Sequence, residues 1–170
     1  MAKMQKISSN LWFDRQAEEA VNFYLSIFKD SRILRISRYG KEGKEIHKMP
    51  AGTVMTIEFE LEGQVFTALN GGPVFKFNEA ISFIVNCDTQ SEIDYYWDRL
   101  SEEGDKKSQQ CGWLKDKYGL SWQIVPRSMA KMIADTNAKR SEAVMKVMLK
   151  MKKLDIEKLE EAYNGEKMLV

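Results

Sequence analysis

The chain opens on an alternation of apolar and polar side chains. Between residues 7 and 13, one side of a strand carries Ile7, Ser9, Leu11 and Phe13 and the other Ser8, Asn10 and Trp12, the two-residue period of a half-buried strand. The period then lengthens. Ala20, Phe23, Tyr24 and Ile27 recur at helical spacing, which predicts a helix over 17–28 with Asp14 as its N-cap and Glu18 and Glu19 in the first turn, where carboxylates favour the helix dipole. Residues 31–39 are rich in strand formers (Ile33, Leu34, Ile36), and a charged loop covers 40–50. Residues 52–61 alternate strictly, Gly63 turns the chain, and 64–70 return as a hairpin partner. This module reads β-α-β-β-β.

The pattern is then written again. Phe13-Asp14-x-Gln16-Ala17-Glu18 is matched by Cys87-Asp88-x-Gln90-Ser91-Glu92, and the helix residues Ala20, Phe23, Tyr24 and Ile27 by Ile93, Tyr96, Trp97 and Leu100. Residues 80–87 predict a strand. Thr89-Gln90-Ser91-Glu92 has the spacing of a capping box. A short polar strand, a strand through Gly112-Trp113-Leu114-Lys115-Asp116, a turn at Lys117-Tyr118-Gly119 and a closing strand over 120–125 complete a second β-α-β-β-β module. The expected fold class is therefore α+β, two paired βαβββ modules at 6–70 and 79–126 within a domain of residues 1–126, joined by a linker that begins Gly71-Gly72-Pro73. After Pro126 apolar residues fall at helical spacing (Met129, Met132, Ile133; Val144, Val147, Met148, Met151; Ile156, Leu159, Tyr163), with Gly165 as the stop. Residues 127–170 thus predict a helical C-terminal extension that packs on its own domain or on a sister subunit.

Composition narrows the partners. The chain has 170 residues, 44% of them hydrophobic, a net charge of +1 and two cysteines. A chain of this size buries about 70% of the surface its unfolded form exposes and needs no staples. Near-neutral charge recruits neither nucleic acid nor anionic lipid, and the basic run Lys146, Lys150, Lys152, Lys153 reads as a solvated helix face. No apolar run is long enough for a membrane span, the first six residues carry no signal-peptide core, and two cysteines form no framework. A cytoplasmic protein is expected, with no nucleic-acid and no membrane partner.

Several motifs are more particular. Asn10-Leu11-Trp12-Phe13-Asp14 with Glu18-Glu19-Ala20 and Asn22-Phe23-Tyr24, then Phe66-Thr67-Ala68-Leu69-Asn70-Gly71-Gly72-Pro73, Ile81-Ser82-Phe83, and Cys111 through Gln123, resemble the PhnB-like branch of the vicinal oxygen chelate superfamily, which contains glyoxalase I, extradiol dioxygenases and bleomycin-resistance proteins. Members of that branch often carry the label 3-demethylubiquinone-9 3-methyltransferase. The resemblance covers residues 6–126, and it implies two modules around a shared cavity, a small-molecule ligand and a homodimer. Superfamily enzymes hold a divalent metal at four positions, often with His and Glu. Strand phase puts those positions here at Ser8, Thr67, Ser82 and Gln123, neutral groups that bind zinc, iron or nickel poorly. Neither a metal nor any other cofactor is expected, and the lone His47 falls in the charged loop. The methyltransferase label finds no glycine-rich turn at Phe13-Asp14-Arg15-Gln16-Ala17 to support it.

The expected ligand-binding residues are Ser8, Asn10, Trp12, Thr67, Asn70, Ser82, Cys111, Trp113, Trp122 and Gln123, an aromatic and neutral-polar set suited to a small, mostly apolar or planar molecule. The same aromatics (with Phe66 and Tyr118) could equally fill the space themselves. Catalytic residues are unassigned. Cys111 has no histidine to act as its base, and Cys87 reads as core. Asp116, between Lys115 and Lys117, reads as part of a charged turn, and Glu58 and Glu60 as a solvated strand face. A binding or sequestering protein, an enzyme relying on neutral polar groups, Cys111 or a bound cofactor, and a scaffold acting through the tail all remain open.

Overall fold

The computed structural model describes residues 6–165. Residues 1–5, part of the stretch read above for a signal sequence, lie outside them. The chain divides into two compact units, the first ending at Phe77 and the second beginning at Asn78. Together they form a mixed α+β architecture of two small sheets flanked by helices, with further helices at the C-terminal end.

In the first unit, β1 (Ser9–Phe13) leads into α1 (Ala17–Ile27), followed by β2 (Ser31–Arg38), the short α2 (Lys44–His47), β3 (Val54–Leu61) and β4 (Gln64–Asn70). The strands form a sheet of order β1-β4-β3-β2 in which β1 runs parallel to β4 and the other pairs are antiparallel. The strict alternation of β3 survives in its burial: Ile57, Phe59 and Leu61 are buried while Glu58 and Glu60 are half-buried on the opposite face. The buried face of the sheet and Ala17, Ala20, Val21, Tyr24 and Ile27 of α1 make the core, each large apolar side chain stabilising the fold by roughly 1.5–3 kcal/mol relative to exposure.

One cap is not where the local sequence puts it. The residue before α1 is Gln16, and among the described residues its side chain makes no capping bond. Instead Asn70, at the end of β4, accepts a hydrogen bond from the Ala17 backbone N–H at 2.9 Å and donates from Nδ2 to the Val54 carbonyl at 3.0 Å. A buried carboxamide from a distant strand thus does the work expected of Asp14. Strand β2 is interrupted by a register shift between Ile33 and Arg35, which leaves Leu34 as the extra residue of a bulge.

The second unit holds β5 (Ser82–Cys87), α3 (Gln90–Ser101), β6 (Trp113–Lys115), β7 (Ser121–Pro126) and the helices α4 (Arg127–Ile133), α5 (Ala138–Met148) and α6 (Ile156–Asn164). The capping box forms as its spacing predicts: the Thr89 hydroxyl accepts from the Glu92 N–H, and the Glu92 carboxylate accepts from the Thr89 N–H. The sheet, however, has order β5-β7-β6, one strand fewer than the first. The polar stretch expected to supply the missing strand forms a single 3₁₀ turn at Lys106–Ser108, held by Asp105 Oδ1 on the Lys107 N–H. No apolar alternation drives that stretch onto the sheet, and the Ser108 hydroxyl accepts the Lys115 N–H at 2.9 Å that a strand carbonyl would have taken.

The tail is built into this unit. Val125, Met132, Val144, Leu154 and Leu159 form one buried cluster. The Cys111 and Gly112 N–H groups donate to the Met151 and Lys152 carbonyls at 2.9 and 2.8 Å. Gln90, at the start of α3, clamps the segment before α6 from both ends of its amide, donating to the Leu154 carbonyl and accepting from the Ile156 N–H. Lys153 adds ion pairs to Asp94 and Asp98. Gly165 ends α6 with φ 75°, as a helix stop requires.

Candidate functional site

Each sheet has one face packed on its helix and one that is more open, and strand parity assigns every candidate to a face. In the first unit Asn10 is register neighbour of Thr67, which in turn neighbours Glu58, and Trp12 neighbours Leu69. Asn10 and Thr67 therefore stand side by side on the open face. Ser8 is exposed and precedes β1. Glu58 and Glu60 on the same face accept from Arg35 and Arg32 across the strand pair, which makes them ion-pair partners and leaves no free carboxylate pair for acid–base chemistry.

Trp12 holds the linker. Its indole Nε1 donates to the Gly72 carbonyl at 2.8 Å, and the Phe75 ring stands edge-on to it at 4.9 Å. The approach is so close that a Cβ on Gly71 would fall 2.3 Å from Trp12 Cζ2, which explains one glycine of the Gly71-Gly72-Pro73 motif; Gly72, with φ 87°, explains the other. Asn70 is 2% exposed and on the opposite, helix-packed face. Both ends of its amide are consumed by backbone, so it serves the fold and not the open face.

In the second unit Gln123 Nε2 donates to the Ser82 hydroxyl at 2.9 Å. Trp113 and Ile84 are the register neighbours of Gln123 on either side. These side chains share the open face. Trp122, one residue along, necessarily points the other way: it is buried, its Nε1 donates to Asp116 Oδ2 at 2.9 Å, and the Phe83 ring lies 5.6 Å from its own. Asp116, also buried, accepts in addition from the Tyr118 and Leu120 N–H groups and so fixes the β6–β7 turn. Cys111 belongs to a turn, not to a cavity-forming strand. Gln110 and Trp113 exchange backbone hydrogen bonds around Cys111 and Gly112, which have φ 51° and 84°, the paired left-handed geometry of a tight hairpin loop. Cys87 is buried, and removal from solvent, reinforced by Glu92 and Asp88, pushes its thiol up to about 12. It is protonated and inert at neutral pH.

Thus Ser82, Trp113 and Gln123 come together, as do Asn10 and Thr67, while Asn70, Trp122 and Cys111 serve turns and caps. Two residues on the open face lie outside the expected set. Ser121 is two residues before Gln123 and buried, and Lys115 is its register neighbour. Parity alone could have found Ser121.

The donor chemistry does not fit a transition metal. Ser82 and Gln123 offer a hydroxyl and a carboxamide bonded to each other, Thr67 a hydroxyl beside Asn10, and among the described residues no three His, Cys, Asp or Glu side chains converge. His47 is also engaged: Nδ1 accepts the Met49 N–H and Nε2 reaches the Glu42 carbonyl, so the ring staples its own loop. A nucleotide-type cofactor cradle at the start of α1 is no better served, because that junction lacks glycine and the Ala17 N–H is already taken by Asn70. Among the described residues no helix is long and apolar enough to cross a membrane.

The element order and the two sheets define the class, a protein of the vicinal oxygen chelate fold. Solved structures support this. The chain superposes on protein PA1353 of Pseudomonas aeruginosa with a TM-score of 0.56 at 18% identity, over 72% of this chain and 98% of that one. It superposes on the fosfomycin resistance protein FosX of Mesorhizobium loti with 0.51 at 14% identity, over 78% and 100%. A nearer likeness is to the PhnB protein of Bacillus cereus, 39% identical with a TM-score of 0.62, over 72% of this chain and 99% of that one. The chain belongs to the family described as 3-demethylubiquinone-9 3-methyltransferase, whose model matches residues 5–125. No curated protein matches it.

Proposed function

We propose that this chain binds a small organic molecule on the open face of its second sheet, without a metal ion, and acts as a binding or sequestering protein. The carrying observation is the Ser82–Gln123 hydrogen bond. At two of the positions that strand phase assigns to the superfamily metal, this chain has neutral groups hydrogen-bonded to one another, next to the flat apolar surface of Trp113. A few neutral polar groups set in an apolar, aromatic surface suit recognition of a small planar ligand. The first sheet, taken by itself, carries a comparable neutral pair in Asn10 and Thr67.

The family description favours a second reading, methyl transfer, and the glyoxalase/dioxygenase relatives of the fold favour other enzyme chemistry. Against both stand the donor set and the occupied helix start described above. The reading keeps a cytoplasmic homodimer, for which the edge strand β2 offers partly exposed Ile33, Leu34 and Ile36; sedimentation equilibrium returning one protomer's mass would refute the dimer. Native mass spectrometry with elemental analysis of gently purified protein tests the main reading. Metal-free protein carrying an organic adduct is the expected result. A stoichiometric transition metal, or methyl transfer from S-adenosylmethionine to 3-demethylubiquinone, would overturn it.

A further inference from the structure

The open face of the second sheet contains a feature that the Ser82–Gln123 pair does not explain. The Ser121 side chain is 1% exposed, and its hydroxyl has no hydrogen-bond partner among the described residues. A buried hydroxyl left unpaired costs about 1–3 kcal/mol, so such a group calls for an account. Ser121 is the register neighbour of Ser82 on one side and of Lys115 on the other. The three side chains therefore form one row across β5, β7 and β6 and leave the sheet on the same face.

The row is rich in donors. Ser82 accepts from Gln123 Nε2 with a lone pair, which leaves its own O–H to donate. Ser121 brings a second O–H. Lys115 brings an ammonium, which here is paired with the Glu79 carboxylate. That hydrogen bond holds the Glu79 carboxyl below its ordinary value, although the group itself is mostly exposed. The next row of the same face is Trp113, Gln123 and Ile84, largely apolar. Beyond it Val125 is buried in the cluster formed with the tail helices, which closes the surface at that end.

We infer that the Ser82–Ser121–Lys115 row is an oxyanion subsite, and that the ligand of this protein is a small organic acid whose apolar body lies over Trp113 and Ile84. The inference rests on the small-molecule reading above and specifies its ligand class. Glu79 then acts as an internal stand-in: its solvent-facing carboxylate holds Lys115 until the ligand's acid group displaces it.

The test uses the full chain and two probes, benzoate and the neutral benzyl alcohol, followed by the backbone amides of residues 82, 115 and 121 and the Trp113 indole N–H in solution NMR. Benzoate is expected to shift these signals and to bind more tightly than benzyl alcohol. Ser121→Ala should weaken benzoate binding about tenfold, the loss expected for a hydrogen bond to a charged group, without lowering the unfolding temperature, because the hydroxyl it removes is unpaired in the free protein. Glu79→Gln should tighten binding by freeing Lys115, and Lys115→Gln should weaken it. Equal binding of both probes at Trp113, indifferent to Ser121→Ala, would overturn the oxyanion subsite and leave the small-molecule reading standing. Shifts confined to other residues, or none with either probe, would overturn the subsite.

Discussion

Asn70 offers the sharpest separation between a structural and a binding role. Replacing it with alanine removes an acceptor from the Ala17 N–H and a donor from the Val54 carbonyl, both buried. Each stranded backbone group costs about 1–3 kcal/mol, and the first is also the N-cap interaction of α1, worth about 0.5–2 kcal/mol at ordinary caps. Taking the overlap into account, Asn70→Ala should destabilise by roughly 2–5 kcal/mol. For a chain of this length each kcal/mol moves the midpoint by about 2–4 °C, so a drop on the order of 10 °C is expected. Thermal and urea unfolding followed by far-UV dichroism would measure it, and hydrogen exchange at the Ala17 amide would localise it, since that amide should lose protection first. Asn70→Asp should fall between wild type and alanine: its carboxylate still accepts from Ala17 and favours the helix dipole, but it faces the Val54 carbonyl with no proton to donate. A loss under about 0.5 kcal/mol for Asn70→Ala, or unchanged exchange at Ala17, would refute the reasoning.

Gly71→Ala should displace the Trp12 indole, because the new Cβ would lie 2.3 Å from its ring; overpacking of this kind costs about 1–3 kcal/mol, and a red shift of Trp12 emission in a protein lacking the other tryptophans would register it. Cys111→Gly should be neutral or stabilising by up to ~1 kcal/mol, since Cys111 holds φ 51° in a tight turn, and Cys111→Val should be clearly destabilising; a midpoint for the valine variant equal to wild type would contradict the turn assignment. The Cys87 thiol is raised from 9.0 to about 12 by burial, so the native state keeps its proton while the unfolded chain releases it. Stability should therefore fall with rising pH from about 9 upward, by at most ~1.4 kcal/mol per pH unit, and Cys87→Ala should lose that part of the slope; identical alkaline profiles would sink the argument.

The sequence displayed local features faithfully and distant ones poorly. The alternation of β3 and the Thr89/Glu92 capping box need only residues a few positions apart, and both form. The cap of α1 comes from a residue 53 positions away, which no local pattern encodes, so the local sequence points to Asp14 instead. The repeat predicts a further strand in the second module that its polar residues do not support, and a 3₁₀ turn at Lys106–Ser108 stands there. Residue type alone groups Trp122 with Gln123 as ligand-binding, although adjacent strand residues diverge to opposite faces. Strand parity puts Trp122 on the helix-packed face and Ser121 on the same face as Gln123.

The clamp made by Gln90 sets a schedule for synthesis. Hydrogen bonds of the first unit, such as those of Asn70 and Tyr39, join residues that have all left the ribosome soon after Phe77. The second unit cannot finish then. Gln90 waits for Leu154 and Ile156, and the turn at Cys111 waits for Met151. Since units fold in the order they emerge, at about 5–20 residues per second, the first unit should be protease-resistant on stalled nascent chains that end before residue 150, while the second stays cleavable until its tail arrives. Ser121 and Gln123 would thus take up their final surroundings only once Ile156 has emerged.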